Sequence, residues 1–195
     1  MSDAPWMWII GGPNGAGKTT LAHEILGNEL NTDEFLNVDE VARTLSPHHP
    51  EKVRFTAGKA FLHRLESLIA KRKSLAVETT LSSLRYVERI HNVKQEGWYC
   101  GLLFIWLESA ELAMERVSTR VASGGHDVPE VDVRRRYARC MANLKRYIDI
   151  CDKVLIFNNS HTGPKLIAQG QGGELEILEQ NNTLDIFQSA RANNE

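Results

Sequence analysis

The stretch "GGPNGAGKTT" (Gly11–Thr20) lies between an apolar run and a helical pattern. The run "WMWIIG" (6–11) before it predicts a buried strand, and "TTLAHEIL" (19–26) after it predicts a helix. A glycine-rich turn between a strand and a helix, with the pattern G-x-x-x-x-G-K-[ST], is the arrangement of a phosphate-binding loop. The stretch therefore predicts nucleotide binding within an α/β domain.

Each part of this loop has a chemical role. Its glycines allow a tight turn, so that backbone N–H groups point at a phosphate, and the following helix adds the positive end of its dipole. Lys18 is predicted to reach the β- and γ-phosphates as a catalytic cation, and the hydroxyl of Thr19 to ligate Mg²⁺. The predicted nucleotide-binding residues are Gly12, Pro13, Asn14, Gly15, Ala16, Gly17, Lys18, Thr19 and Thr20.

Further apolar runs are spaced along the chain. They are "FLNV" (35–38), "LAVE" (75–78), "GLLFIWL" (101–107) and "KVLIF" (153–157). Because these runs are apolar throughout, they suit strands that are buried on both faces of a parallel sheet. Apolar residues recur at helical spacing between them, over 51–72, 109–122 and 130–148, and Ser109 suits a helix N-cap. Strands that alternate with helices predict a doubly wound α/β domain.

The composition narrows the class of protein. A chain of 195 residues suits one domain, and a formal net charge of −2 argues against a general nucleic-acid binder. The three cysteines are widely spaced, which favours reduced thiols in a cytoplasmic protein, and no signal peptide or membrane span is visible. We place the domain at residues 1–170, read "AQGQGGE" (168–174) as a linker and treat 171–195 as a weakly patterned tail.

Acidic side chains follow two of the predicted strands. Asp39 comes just past the second strand, and Glu78 and Thr80 come at and after the end of the third. Ligands of open α/β sheets bind outside the carboxyl ends of the strands. Phosphoryl transfer needs a carboxylate that orients the metal and a base that takes the proton from an acceptor hydroxyl, and these acids lie where both are required. Asp39 also suits a solvated helix cap.

Arginines cluster in the second half of the chain. Arg116 and Arg120 are four residues apart, so they share one face of a helix, and the glycine pair of "GGHDVPE" (124–130) follows as a candidate hinge. Arginines that a closing lid brings in stabilise the charge of a phosphoryl group in transfer. We therefore predict an arginine-rich lid around 116–143, with Arg116 and Arg120 as catalytic residues. The further lid candidates are His126, Arg134 and Arg136.

Together these motifs resemble the zeta-toxin family of small P-loop kinases, and its chromosomal zeta-like branch in particular. The matching segments are "GPNGAGKTT", "NVDE", "VETTLS", "RVSTRVASGGHDVPE" with "RRRYARCMANL", and "FNNS". The resemblance implies a P-loop kinase-type three-layer fold with a mostly parallel five-stranded sheet. It also implies ATP (or GTP) with Mg²⁺, transfer to a hydroxyl of a UDP-N-acetylamino sugar such as UDP-N-acetylglucosamine, and an antitoxin protein as a partner.

The family's functional residues carry over to individual positions of this chain. Lys18 and Thr19 match the loop ligands, Asp39 the proposed base, Glu78 and Thr80 the residues that hold the sugar nucleotide, and Arg116 a lid arginine. The second lid arginine of the family has no secure counterpart, because His126 falls near its position and Arg120 or Arg134 could substitute. The acceptor-binding part is reduced to the helices around 40–72 and 83–96.

Two other classes stay open from the residues alone. A regulatory P-loop NTPase would use hydrolysis to switch a partner, and such proteins often carry a water-positioning amide and switch loops. A kinase that acts on a nucleotide or another metabolite is also compatible with the motifs, whereas the acidic balance disfavours a polynucleotide acceptor.

Overall fold

The computed structural model describes residues 4–25, 32, 34–125, 127–172 and 174–179. The strands in these ranges are β1 (Trp6–Gly11), β2 (Phe35–Leu36), β3 (Leu75–Thr79), β4 (Tyr99–Trp106), β5 (Lys153–Asn158), β6 (Lys165–Gln171) and β7 (Glu174–Ile177). The helices are α1 (Lys18–Ile25), α2 (Val38–Leu45), α3 (Arg54–Ala70), α4 (Arg85–Gln95), α5 (Ala110–Ala122) and α6 (Glu130–Ile150), and a 3₁₀ turn, Pro50–Val53, precedes α3.

The described strands form one sheet in the order β2-β3-β1-β4-β5-β6-β7. The five strands from β2 to β5 are parallel, as expected, and β1 lies between β3 and β4. The register aligns Ile10 with Glu78 and Gly11 with Phe104. All five carboxyl ends therefore meet at one edge of the sheet, beside the phosphate loop.

The sheet has seven strands, so the expected number of five is wrong. The additional β6 and β7 form an antiparallel hairpin that is attached to β5. The expected linker at 168–174 is also wrong, because Ala168 and Gly170 pair with β5 and the sheet continues to Ile177. The hairpin stays attached because Ile167 and Ala168 are buried in the core, although most of its other side chains are polar.

Helices cover both faces of the sheet, which gives the expected three layers. Successive residues of β1 point to opposite faces. Met7 and Ile9 pack in one cluster with buried residues of α3, α4 and α6, whereas Trp8 and Ile10 pack in a second cluster with α1 and α5. Because each face meets an apolar layer, the strand is apolar throughout instead of alternating with polar residues.

Helix caps set the boundaries beside the site. The expected strand 35–38 ends at Leu36, because the side chain of Asn37 accepts a hydrogen bond from the N–H of Asp39 and starts α2. Ser109 caps α5 as expected, since its hydroxyl accepts from the N–H of Leu112 at 3.1 Å. Both caps satisfy backbone donors that the first turn of a helix leaves unpaired.

Two further predictions from the sequence concern the state of the cysteines and the presence of a membrane-spanning helix. Cys100, Cys140 and Cys151 are free thiols buried in the same apolar cluster. No helix among the described residues combines the length and the apolar character that crossing a bilayer requires.

Candidate active site

The phosphate loop follows β1 and needs glycine for steric reasons. A Cβ on Gly12 would lie 2.4 Å from the carbonyl oxygen of Ile105, which no side chain tolerates. Gly17 has a φ of 82°, in the left-handed region that favours glycine. Asn159, which follows β5, donates from Nδ2 to the carbonyl of Ala16 at 2.9 Å and holds the loop from the other side.

Lys18 is the buried cation of the site, with 6% of its surface exposed. Its ammonium donates to the carbonyl of Pro13 at 2.8 Å and lies 4.0 Å from Oε1 of Glu78. Burial lowers the pKa of Lys18 from its ordinary value, and the nearby Glu78 carboxylate opposes this effect. An ammonium has three donors, so Lys18 retains capacity to bind phosphate oxygens.

Thr19, Glu78 and Asn37 form a hydrogen-bonded cluster beside the loop. The hydroxyl of Thr19 donates to Oε2 of Glu78 at 2.6 Å, and Nδ2 of Asn37 donates to the same oxygen at 2.8 Å. Asn37 comes from the start of α2, Thr19 from the first turn of α1 and Glu78 from β3. The cluster therefore joins three elements at the carboxyl edge of the sheet.

A cavity of about 700 Å³ opens above this cluster. The predicted site residues that line it are Gly15, Gly17, Lys18, Thr19, Thr20, Asp39, Glu78, Arg116 and Arg120. The cavity is also lined by residues of α2, of the start of α3 and of the segment between them. We define these residues as the α2–α3 wall: Ala42, Arg43, Pro47, His48, Pro50, Glu51 and Arg54. Asp39 lies in the first turn of α2, on the same helix as Arg43, whose Nε donates to the Asp39 carbonyl at 3.2 Å.

The glycine pair ends α5 as a defined turn. The N–H of Gly125 donates to the carbonyl of Arg120, and the N–H of Gly124 donates to that of Val121, both at 2.9 Å. With a φ of 84° at Gly124, this is a Schellman motif, the common glycine-terminated helix end. Both glycines line the cavity, so the end of α5 holds Arg120 at its edge.

Other predicted residues lie away from the cavity lining. The hydroxyl of Thr80 is 2.9 Å from that of Ser82, and Arg134 pairs with Glu111 at 2.6 Å. Arg136 lies in α6 and is not among the residues that line the cavity. His126 falls outside the described residues.

The structure adds residues that the sequence did not single out. Asn37 contacts Glu78, Asn159 contacts the phosphate loop, and Arg43, His48 and Arg54 belong to the α2–α3 wall. A signal for Asn37 exists, because Asn followed by acids at the second and third helical positions is typical of a capped helix start. Asn159 lies in the matching segment "FNNS", but its contact with the phosphate loop has no local signal, and neither has the α2–α3 wall.

The donors of the cluster fit a magnesium ion. Mg²⁺ prefers oxygen ligands and is usually held by one or two side chains together with substrate phosphates and water. The Thr19 hydroxyl and the Glu78 carboxylate are oxygen donors beside the phosphate loop. Within the described ranges, no group of three or more His, Cys, Asp or Glu side chains could hold a metal, so a magnesium ion at this cluster would also need phosphate or water ligands.

The strand order, the loop between β1 and α1 and the acid at the end of β3 define a nucleotide-binding protein with the P-loop kinase fold. The chain belongs to the AAA domain family (AAA_33), whose profile matches residues 7–142. A protein of Haemophilus influenzae, named only as uncharacterized, is 29% identical over 126 residues, which are 65% of this chain and 88% of that protein.

Solved structures share the fold at low identity. AvrRxo1-ORF1 in complex with AvrRxo1-ORF2 and sulphate ions superposes with a TM-score of 0.72 at 18% identity, over 95% of this chain and 63% of that chain. This chain therefore spans less than two thirds of that relative. The PezAT chromosomal toxin–antitoxin system of Streptococcus pneumoniae gives a TM-score of 0.64 at 18% identity, over 98% of this chain and 86% of that chain.

Proposed function

We propose that the protein is an ATP- and Mg²⁺-dependent phosphotransferase that acts on a hydroxyl of a small anionic acceptor. The observation that carries the proposal is one cavity lined by two chemically different sets of residues. Lys18, Thr19 and Glu78 suit a triphosphate with its metal, whereas the α2–α3 wall adds further charged side chains to the lining. Asp39 lines the same cavity and has the carboxylate that a general base requires.

The side chains have distinct roles in this proposal. Lys18 and the loop N–H groups bind the phosphates, and Arg116 and Arg120 stabilise the charge that spreads over the phosphoryl group in transfer. Thr19 and Glu78 would hold Mg²⁺, which supplies charge neutralisation to the phosphates when it is bound. Glu78 is predicted to hold the acceptor, but its hydrogen bond with Thr19 supports a role at the metal. Asp39 accepts the proton of the acceptor hydroxyl.

The acceptor is proposed to be a UDP-N-acetylamino sugar, with UDP-N-acetylglucosamine as the first candidate. The identity of the sugar rests on the resemblance to zeta toxins. Its anionic character has independent support, because the α2–α3 wall contributes two arginines, Arg43 and Arg54, and one acid, Glu51, to the cavity that Asp39 also lines. Guanidinium groups bind phosphate oxygens through charge-assisted hydrogen bonds.

The test is to incubate the protein with γ-labelled ATP, Mg²⁺ and UDP-N-acetylglucosamine, and to detect a singly phosphorylated product by mass spectrometry. GTP replaces ATP in a parallel reaction. Arg43→Gln is the matched variant, because it removes one wall cation. We expect it to raise the KM for the acceptor by about tenfold and to leave the KM for ATP unchanged.

Each alternative gives a different result. ATP hydrolysis that no acceptor stimulates would identify a regulatory NTPase. If another metabolite from a cell extract is labelled and UDP-sugars are not, the kinase proposal stands and the proposed acceptor is wrong. Labelling of neutral sugars only would contradict the anionic acceptor.

An inhibitory protein partner is the last part of the proposal. AvrRxo1-ORF1 was crystallised with AvrRxo1-ORF2, and PezAT is described as a toxin–antitoxin system. These likenesses and the zeta-toxin resemblance support a small antitoxin for this chain. Coexpression with the product of the adjacent gene should give a stable complex whose ATP turnover is reduced. A complex that turns over ATP as fast as the protein alone would contradict an inhibitory partner.

A further inference from the structure

Asn37 uses both ends of its side-chain amide. It lies between β2 and α2 with 5% of its surface exposed. Its Oδ1 accepts from the N–H of Asp39 at 2.8 Å, and its Nδ2 donates to Oε2 of Glu78 at 2.8 Å and lies 3.4 Å from the Thr19 hydroxyl. The opposite orientation of the amide would bring its NH₂ against an N–H and its oxygen against a carboxylate. The contacts therefore fix the orientation of the amide.

Through these contacts, Asn37 links the proposed metal ligand Glu78 to the proposed base Asp39. Oε2 of Glu78 receives both the Thr19 hydroxyl and the Asn37 amide, which leaves Oε1 directed towards Lys18 at 4.0 Å. The same Asn37 side chain caps the helix whose first turn carries Asp39. Asn37 therefore holds the Glu78 carboxylate and the backbone of Asp39 at the same time, although it does not itself line the cavity.

We propose that Asn37 is a positioning residue that fixes the base Asp39 relative to Thr19, Glu78 and the bound phosphates. The inference rests on the proposed phosphotransferase function. Reacting groups must be held in near-attack geometry, and a misplacement of about 1 Å can cost on the order of 100-fold in rate. A single buried amide that spans both groups sets this distance without a contact to either substrate.

Two variants of Asn37 separate its contacts. Asn37→Ser retains an oxygen that can cap α2, but its side chain is too short to reach Glu78. We expect kcat to fall by about tenfold or more, with the KM for ATP within about threefold and the Tm close to wild type. Thr32→Val is the matched control, because Thr32 is also buried and also bridges two segments, through a 2.7 Å bond to the Ser74 carbonyl, without contact to Glu78. Its kcat should match wild type.

Asn37→Asp adds a readout that a purely structural role would not change. The variant keeps an oxygen that can cap α2, but it replaces the amide donor to Oε2 of Glu78 with a second carboxyl group. If Asn37 acted only as a helix cap, kcat would be unchanged, because Asp caps helices about as well as Asn. We expect kcat of Asn37→Asp to fall by about tenfold or more, as in Asn37→Ser.

The outcomes distinguish this inference from the proposed function. Wild-type kcat in Asn37→Ser or in Asn37→Asp would overturn the positioning role while the kinase stands. If wild type transfers phosphate to no acceptor, the kinase proposal fails. The same variants are then assayed for ATP hydrolysis without acceptor, where the Thr19–Glu78 contacts still matter, and wild-type hydrolysis by both variants would overturn the inference as well.

Discussion

The ammonium of Lys18 lies inside the protein, with the Pro13 carbonyl at 2.8 Å and the Glu78 carboxylate at 4.0 Å. Its burial is costly unless a ligand supplies further negative charge, because desolvation disfavours the charged form. The burial of this ammonium therefore lowers the stability of the fold, and a bound phosphate would offset that cost. Stability that is given up for binding is typical of functional sites.

Lys18→Met should separate these two effects. We expect ATP turnover to fall by about 100-fold or more, since one charge-stabilising group is lost. Burial lowers the pKa of Lys18 in the folded state, so the unfolded chain binds the proton more tightly and wild-type stability rises as pH approaches the ordinary lysine value of about 10.4. The variant lacks this dependence. Its stability relative to wild type in urea unfolding should be greatest near pH 7 and decrease towards pH 10.

Unimpaired ATP turnover by a folded Lys18→Met variant would contradict a catalytic role of the phosphate loop. A stability difference that does not change with pH would instead contradict the burial cost at this residue.

Asp39 and Glu78 are two carboxylates of one cavity whose roles can be distinguished. Asp39→Asn should keep Mg²⁺-dependent nucleotide affinity within about threefold and reduce transfer by about 100-fold or more, the scale of a general base. Glu78→Gln should weaken Mg²⁺-dependent nucleotide binding, because its Oε2 accepts the Thr19 hydroxyl at 2.6 Å. Calorimetric titration of ATP with and without Mg²⁺ measures the nucleotide affinity, and transfer of labelled phosphate measures the catalytic rate. If Asp39→Asn weakens nucleotide binding and Glu78→Gln reduces only transfer, Glu78 is the base and Asp39 the metal ligand.

The helix α5 ends in a turn that only glycine forms easily. Gly124 has a φ of 84° and no atom within 4 Å of an added Cβ, so its requirement is conformational and not steric. The same turn sets where Arg120 meets the cavity. Stability and turnover are therefore linked at this element.

Gly124→Ala should destabilise the protein by about 1 kcal/mol and lower kcat, because alanine disfavours the left-handed region. Gly58→Ala is the matched control, since Gly58 lies within α3 with open space around it. In a helix interior that replacement should stabilise by roughly 0.5–1 kcal/mol. Urea unfolding and steady-state turnover of both variants measure the effects. The two replacements should change the free energy of unfolding in opposite directions. A Gly124→Ala variant that is more stable than wild type would contradict the left-handed conformation at this turn.

The helices and strands differ in how well they could be predicted from the sequence. The five parallel strands were predictable because burial on both faces makes each run apolar throughout, as in "WMWIIG". The hairpin of β6 and β7 was not, because it is an edge pair with polar side chains, and only Ile167 and Ala168 reach the core. The loop residues could be predicted from local spacing. The contact of Asn37 with Glu78 depends on two strands coming together, which no local pattern encodes.

On the scale of the whole molecule, the sheet separates two apolar clusters, and all three cysteines lie in one of them. Burial raises the pKa of Cys100 and of Cys140 to about 12 and raises the pKa of Cys151 further. The thiolate is the reactive form of cysteine. Thiol reagents therefore reach these groups only when the domain opens.

We expect native protein to react slowly with a disulfide reagent and to expose all three thiols on unfolding. Mg²⁺-ATP at 100 times its Kd should slow labelling by about 100-fold, if reaction follows the globally unfolded population. The rate of colour release with and without nucleotide measures this. Rapid reaction of one thiol, or no effect of nucleotide, would indicate local opening around the cysteine cluster.

The central place of β1 has a consequence for protein synthesis. Met7 pairs with Leu75 and Trp6 with Tyr99, so both neighbours of this strand lie far downstream in the chain. While the ribosome is still making those segments, "WMWII" is an apolar, β-forming stretch that has no partner. Such stretches aggregate readily, and parallel pairing between distant segments is slow. The nascent chain therefore exposes this strand until β4 has emerged, an exposure set by strand order and not by the stability of the finished domain.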